Sequence, residues 1–248
     1  YREKAGEIPG LSMPRGVPAL RAARGLTMER MPGQELLEGA KGAPQEDRDR
    51  VGTQLFDILI REFFLFGLMQ TDPNPANYLF DDQSGALVLL DFGACREVPE
   101  HVASLYRSAL RGIALQDRSA LEEFLDELGV LELEQKTVVE PDSKEAKQRA
   151  RAQELFINIA LTSSECFAHG PYDFGASTLP QRITTLSMEF KELRKVLRPP
   201  APEFIFFQRK LAGTFLLCRQ LGARVDCRAV FIEHGLLDEE QELESASA

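Results

Sequence analysis

The segment from Asp72 to Gly93 constrains this chain more than any other. It begins Asp72-Pro73-Asn74-Pro75-Ala76-Asn77 and continues into Tyr78-Leu79-Phe80. A polar Asp81-Asp82-Gln83-Ser84-Gly85 follows, then Leu87-Val88-Leu89-Leu90 and Asp91-Phe92-Gly93. Two short apolar runs flank residues with turn chemistry, so the stretch reads as a β-hairpin. A hairpin returns its two ends to one edge. Asn77 and Asp91 are therefore expected to meet, with Asp72 on an adjoining loop. An amide carbonyl and a carboxylate placed together suit Mg²⁺ beside phosphate oxygens. Asp72 is expected nearer the acceptor of a phosphoryl group, as a base or a water-positioning group.

An Asp, four residues, an Asn, a short hairpin and Asp-Phe-Gly together make the metal-nucleotide half of a protein-kinase-like site. The tripeptide alone is a weak signal, because it recurs at Asp173-Phe174-Gly175. That copy follows the loop-like His169-Gly170-Pro171, with no apolar strand before it and no Asp-x4-Asn at the right distance. It is expected to lie outside the metal site.

Composition narrows the alternatives. A net charge of −10 argues against a general nucleic-acid binder, since no excess of Lys and Arg is present to neutralise phosphates. Much of the acid sits in Asp238-Glu239-Glu240-Gln241-Glu242, which reads as a solvated tail. The four cysteines, Cys95, Cys166, Cys218 and Cys227, form no Cys-x2-Cys pair, so reduced, unpaired thiols are expected. His101, His169 and His234 pair with no obvious nucleophile, and hydrolytic triads get no support. No signal peptide or membrane-spanning run is visible; the most apolar stretch, Leu55 to Met69, carries Asp57, Arg61 and Glu62 and reads as a core helix.

Along the chain, residues 13–20 and 24–31 read as two short strands, the first limited by Pro14, Gly16 and Pro18. Residues 46–68 carry the longest helical apolar face. Helices are expected near 99–115, 118–128, 145–168, 180–197, 202–222 and 226–235. Breaks are expected at Pro141-Asp142-Ser143-Lys144 and Arg198-Pro199-Pro200-Ala201-Pro202. The fold class is mainly α with short β-hairpins: a protein-kinase-like C-terminal lobe plus the last strands of an N-terminal lobe. Residues 1–33 are assigned to that N-terminal remnant and hinge, 34–236 to the helical lobe and 237–248 to an acidic tail. In such an arrangement the strand through Thr27-Met28-Glu29-Arg30-Met31 runs into the hinge, and backbone groups near Glu29 and Met31 meet adenine.

The chain resembles the UbiB-type, or aarF-domain, atypical kinases, nearest their mitochondrial coenzyme-Q branch and its bacterial relatives. The resemblance rests on Gln70-Thr71-Asp72-Pro73-Asn74 with Asn77, and on Leu90-Asp91-Phe92-Gly93-Ala94. It extends to Arg61-Glu62-Phe63-Phe64, Pro171-Tyr172-Asp173-Phe174-Gly175 and Arg209-Lys210-Leu211-Ala212-Gly213-Thr214-Phe215-Leu216. It covers roughly Met13 to Phe231 and implies Asp72 in the catalytic-loop role, Asn77 and Asp91 as metal ligands, and ATP with Mg²⁺ as cofactors. It also implies support of ubiquinone biosynthesis by a membrane-associated ATPase or small-molecule kinase. The implied partners are a membrane lipid or quinone precursor and ubiquinone-biosynthesis proteins. The implied location is the matrix side of the mitochondrial inner membrane, or the bacterial cytoplasm and inner-membrane periphery.

The residues themselves favour small-molecule over protein phosphorylation. Asp91-Phe92-Gly93 is followed closely by Val98-Pro99 and a helix, which leaves no room for a long activation segment. Gln70-Thr71 stands where an Arg would pair with an activation-loop phosphate. The family's alanine-rich nucleotide loop, strand lysine, partner glutamate and Lys-x-Gly-Gln extension are not found in the 248 residues. The chain alone is therefore expected to turn over ATP weakly and to self-associate through surface that the rest of an N-terminal lobe would cover. Two other readings are an aminoglycoside- or choline-kinase-type phosphotransferase and a non-catalytic nucleotide-sensing scaffold.

Overall fold

A computed structural model describes residues 1–5, 8–20, 22–129, 143–167, 170–193 and 202–238. Two compact units are built from interleaved segments. The first comprises Tyr1–Val98, Asp173–Ala176 and Phe206–Val225, and the second Pro99–Tyr172, Ser177–Ile205 and Asp226–Ala248.

The first unit starts with a single helical turn, α1 (Arg2–Ala5), and the two-residue strand β1 (Leu11–Ser12). β2 (Gln34–Glu35) and the short α2 (Leu36–Gly39) lead into α3 (Gln45–Ile60). β3 (Leu68–Gln70), β4 (Tyr78–Asp81), β5 (Ala86–Leu89) and β6 (Cys95–Glu97) follow. The β4–β5 hairpin forms as its alternating turn chemistry requires. Asp81 accepts the Gln83 amide at 3.2 Å, which closes the turn with its own side chain. The hairpin is the centre of a four-stranded sheet in the order β1-β5-β4-β2, with β1 parallel to β5 and the other pairs antiparallel. β3 and β6 form a separate antiparallel pair.

Two sequence expectations need correction here. The helix expected over 46–68 is α3, which ends at Ile60, passes through a wider π-type turn at Arg61–Leu65 and stops. Gly67, at a φ of 58°, reverses the chain, so Leu68 and Met69 lie in a strand rather than a core helix. The strands expected over 13–20 and 24–31 are reduced to an isolated bridge between Gly16 and Met28. Two backbone hydrogen bonds, Val17 N–H to Thr27 and Glu29 N–H to Arg15, flank that bridge. Pro14 and Pro18 have no amide hydrogen to donate, and Pro18–Leu20 turns as 3₁₀, so the ladder cannot extend. This segment exposes Leu20, Leu26 and Met28 at 62%, 69% and 42%.

The core of the first unit lies between α3 and the later part of α8 (Pro202–Leu221). From α3 come Val51, Leu55, Phe56, Ile58, Leu59 and Ile60; from α8 come Phe207, Leu217, Cys218 and Leu221, all buried. Phe63 joins them, its ring centroid 4.2 Å from that of Phe207. The second Asp-Phe-Gly sits in this unit as a packed turn. Phe174 is buried edge-on against Phe215, its amide donates to the Ala223 carbonyl, and Asp173 accepts the Ala176 amide and the Arg224 side chain.

The second unit is helical: α4 (Glu100–Ala114), α5 (Arg118–Leu128), α6 (Lys144–Ser163), α7 (Leu179–Leu193) and α9 (Cys227–Glu233). These match the expected helices to within a few residues over the described part of the chain. Asp117, Ser143 and Asp226 set three of the starts by accepting amides of the first turn. α4 packs on α5, and α6 on α7. Tyr106 and Phe124 meet edge-to-face at 5.4 Å in the core. His169, the breaks expected at Pro141-Asp142 and over 198–201, and the acidic tail beyond Asp238 fall outside the described residues. The four cysteines are unpaired. Among the described residues no helix is long and apolar enough to cross a membrane.

Phe63→Ala should lower stability by about 3–5 kcal/mol, as large-to-small changes at buried aromatics do. Leu65→Ala, two residues on and 54% exposed, should stay within about 0.5 kcal/mol. Urea unfolding of both variants measures the contrast, and equal losses would mean that Phe63 is not in the core.

Candidate active site

Residues Gln70 to Gly93 of the first unit build the site. The β4–β5 register pairs Tyr78 with Leu89, so the next step outward sets Asn77 against Leu90. The Leu90 amide donates to the Asn77 carbonyl at 2.9 Å. Asp91 follows directly and is solvent-exposed, its Oδ1 accepting the Gly93 amide at 2.8 Å. The hairpin thus delivers Asn77 and Asp91 to one edge, the geometry expected from the sequence.

Asp72 lies beside Asn77, with both its side chain and its backbone held by hydrogen bonds. Asn77 Nδ2 donates to the Asp72 carbonyl at 3.0 Å and to Oδ2 at 3.1 Å. Arg209 of α8 holds Oδ1 at 2.7 Å. Gln70 grips the backbone of Asp72 at both ends: Nε2 donates to its carbonyl at 2.9 Å, and Oε1 accepts its amide at 3.2 Å. Thr71 is tied to Ala94 through its amide and its hydroxyl, at 3.1 and 2.8 Å, which anchors this loop to the segment after Asp91.

The donor set fits a hard divalent cation. Asn77 spends its amide nitrogen on Asp72, which leaves the carbonyl oxygen Oδ1 for a metal. Asp91 uses one carboxylate oxygen for Gly93 and has the other to offer. No cluster of three or more His, Cys, Asp or Glu side chains suited to a metal occurs among the described residues.

Glu29 and Met31 stand apart from these three residues. Among the described residues no hydrogen bond or ion pair joins either to Asp72, Asn77 or Asp91. The Glu29 amide is committed to Arg15 and its carboxylate accepts the Arg15 amide at 3.0 Å. Met31 borders a cleft of about 510 Å³ with Arg2, Ile8, Leu11 and Met13.

Sequence reasoning did not assign roles to the residues that brace the site. Lys210 is 1% exposed, and its Nζ lies 3.0 Å from the fully buried Glu62, 3.3 Å from Gln70 Oε1 and 3.4 Å from the Tyr78 hydroxyl. Burial pulls the Lys210 ammonium down, but the Glu62 carboxylate and the Tyr78 hydroxyl outweigh it and hold its pKa above the ordinary lysine range. Burial raises the Glu62 carboxyl, opposed by Lys210 and by the donating Tyr1 hydroxyl. A signal was present in the sequence. Lys210 keeps helical phase with Phe207, Thr214, Leu217 and Leu221, all core positions, and Glu62 sits within the apolar run before Gln70. Two opposite charges at core phase have to find partners.

Gly213 permits this approach. A β-carbon there would lie 2.1 Å from Cγ and 2.3 Å from Cβ of Pro73, so only a hydrogen fits between α8 and the Asp72 loop. Gly213→Ala should destabilise the protein by about 1–3 kcal/mol through overpacking. In an unobstructed helix the same change would stabilise by about 1 kcal/mol. Chemical denaturation reads the sign, and a gain in stability would show that the contact is not tight.

A family model described as the ABC1 atypical kinase-like domain matches residues 1–125, just over half of the chain. The chain is 32% identical over 225 residues to atypical kinase COQ8B, mitochondrial, of Danio rerio, covering 91% of this chain and 34% of that protein. It is 34% identical over 232 residues to the Rattus norvegicus protein of the same name, covering 93% and 41%. It is 31% identical over 229 residues to atypical kinase COQ8, mitochondrial, of Saccharomyces cerevisiae, covering 91% and 42%. The chain therefore spans well under half the length of these curated relatives. Among solved structures it is similar to Rv3197 of Mycobacterium tuberculosis, solved in complex with erythromycin. The TM-score is 0.64 at 17% identity, covering 94% of this chain and 54% of that one, a likeness of fold alone. The fold is mainly helical with short strands, as in a kinase-like lobe. Its Gln70-Thr71-Asp72 loop, its Asn77–Asp91 hairpin edge and the matching family model carry one conclusion: the chain belongs to the ABC1 atypical kinase-like family.

Proposed function

We propose that this chain carries the metal- and acceptor-facing part of an ATP-dependent phosphotransferase or ATPase that acts in ubiquinone biosynthesis. The observation that carries the reading is the hairpin register, which brings Asn77 and Asp91 to the edge where Asp72 is held. Asn77 Oδ1 and the free oxygen of Asp91 would hold Mg²⁺, which neutralises charge on the β- and γ-phosphates during transfer. Asp72 would orient the acceptor hydroxyl or water and take its proton. Arg209 engages one oxygen of Asp72 and Asn77 the other, so the carboxylate is oriented before any substrate arrives. The carbonyl of Glu29 and the amide of Met31 would meet adenine, since neither makes a backbone hydrogen bond among the described residues.

The acceptor is read as water or a small lipid-like molecule rather than a protein. β6 and α4 begin within a few residues of Gly93, so no long segment is available there to dock a peptide. Relatives named as mitochondrial kinases support a mitochondrial setting; within it the matrix side of the inner membrane is our reading of the location, with quinone precursors and biosynthetic proteins as partners. Exposed Leu20, Leu26 and Met28 favour contact with a further surface, whether other parts of the protein or a second copy.

Asp91→Asn should weaken Mg-dependent nucleotide binding by about tenfold or more, a loss of at least about 1.4 kcal/mol, while the melting temperature holds. Calorimetric titration of ATP with and without Mg²⁺, on the protein at its natural full length, measures this. Unchanged affinity would remove Asp91 from the metal site.

The 248-residue chain by itself should bind ATP weakly and hydrolyse it negligibly. It spans 34% to 42% of the first three curated relatives, and its residues include no phosphate-covering loop or strand lysine of the family pattern. Positioning of reactants supplies about 7–11 kcal/mol in favourable cases, and one face of a cleft forfeits much of that. Turnover of this chain equal to that of the full-length protein would favour the aminoglycoside-kinase type of reading instead.

A further inference from the structure

A lysine that is 1% exposed, beside a glutamate that is 0% exposed, needs an explanation other than stability. Buried ion pairs are often no better for stability than apolar residues of the same volume, because removing two charges from water offsets their attraction. The third partner of Lys210 shows what this pair touches. Its Nζ reaches Oε1 of Gln70, itself fully buried, at 3.3 Å. The same Oε1 accepts the Asp72 amide, and Nε2 of that side chain donates to the Asp72 carbonyl. A cation at Oε1 fixes which way the amide faces: the oxygen toward Lys210 and the Asp72 N–H, the nitrogen toward the Asp72 carbonyl. The Tyr78 hydroxyl, 3.4 Å from Nζ, belongs to the residue after Asn77 and ties the same cation to the start of β4. Tyr1 donates to the other oxygen of Glu62, so the glutamate is held from both sides.

We propose that Lys210, anchored by Glu62, is the positioning residue of this site. It orients Gln70, and through Gln70 it holds the Asp72 loop in its working geometry without a phosphate from outside. Where an arginine precedes the loop aspartate, an activation-loop phosphate can supply the matching charge and act as a switch. Here Gln70-Thr71 precedes Asp72, and the cation is internal, buried and paired with Glu62. The loop is accordingly held without an added phosphate, and control of the site lies elsewhere than in phosphorylation next to it. The inference rests on the phosphotransferase reading for its catalytic consequence, but the bracing of Asp72 stands on the geometry alone.

Two variants test it in the protein at its natural full length. The pair Glu62→Leu with Lys210→Met removes both charges and keeps the volume, so no buried charge is left alone to unfold the protein. Gln70→Leu leaves the Glu62–Lys210 ion pair in place and removes the side chain that links Lys210 to Asp72. Both should keep their melting temperature within a few degrees. In both, the Asp72 amide should exchange hydrogen about tenfold faster or more, because its partner is removed in Gln70→Leu and is no longer oriented in the double variant. Amides in the middle of α3 should be unchanged. The kcat for Mg-ATP turnover should fall about a hundredfold with KM nearly constant, because the loop is misplaced and the nucleotide is not. Normal exchange at Asp72 in Gln70→Leu, or a normal kcat in the Glu62–Lys210 double variant, would overturn the proposal and leave the pair a packing feature. Faster exchange at Asp72, in a protein whose unsubstituted form shows no turnover, would defeat the phosphotransferase reading while supporting the positioning role.

Discussion

The close contact between α8 and the Asp72 loop is the constraint on which the site depends. Gly213 lets the helix approach to the distance at which a β-carbon would overlap Pro73. One turn earlier, Arg209 points at the carboxylate of Asp72 and Lys210 turns inward to Gln70, Glu62 and Tyr78. Adjacent residues of a helix differ by about 100° in direction, so one of the pair serves the surface of the loop and the other its interior. Moving the helix outward would disengage both at once. Losing one partner of the buried pair would cost about 3–5 kcal/mol, since the remaining charge has no water to turn to.

The hairpin supplies the other half of the order. Its turn closes on Asp81, and its register places Asn77 and Asp91 at the same end. Thr71 fastens the Asp72 loop to Ala94, just beyond the hairpin. Asn77, Asp91 and the Asp72 carboxylate are thus joined by short backbone paths rather than by long flexible ones.

The two Asp-Phe-Gly copies show how far a tripeptide carries information. Asp91 stands two residues past the strand Ala86–Leu89 and is exposed at the hairpin edge. Asp173 caps a turn, pairs with Arg224 and has its neighbour Phe174 buried against Phe215. The difference comes from context: the four-residue strand Ala86–Leu89 and an Asn at the correct distance precede the first copy, whereas Asp173 lies in a strand of two residues, Tyr172–Asp173.

Several features were legible in the sequence because they depend on neighbours in the chain. The hairpin, its turn, the helix starts at Asp117, Ser143 and Asp226, and the spacing of Asp72, Asn77 and Asp91 all follow from local chemistry. The end of α3 was misread because its apolar run continues beyond Ile60. A wide turn and the reversal at Gly67 convert that run into a strand, which periodicity does not register. The strands near Val17 and Thr27 were overdrawn because apolar residues there cannot offset the amides missing from Pro14 and Pro18. The sequence by itself determined that Asn77 and Asp91 share one edge of the hairpin. Only the tertiary structure decided what holds Asp72. Glu62 and Gln70 lie about 140 residues or more from Lys210 in the chain, and long-range pairing of buried charges is set by how helices pack, which no local pattern encodes.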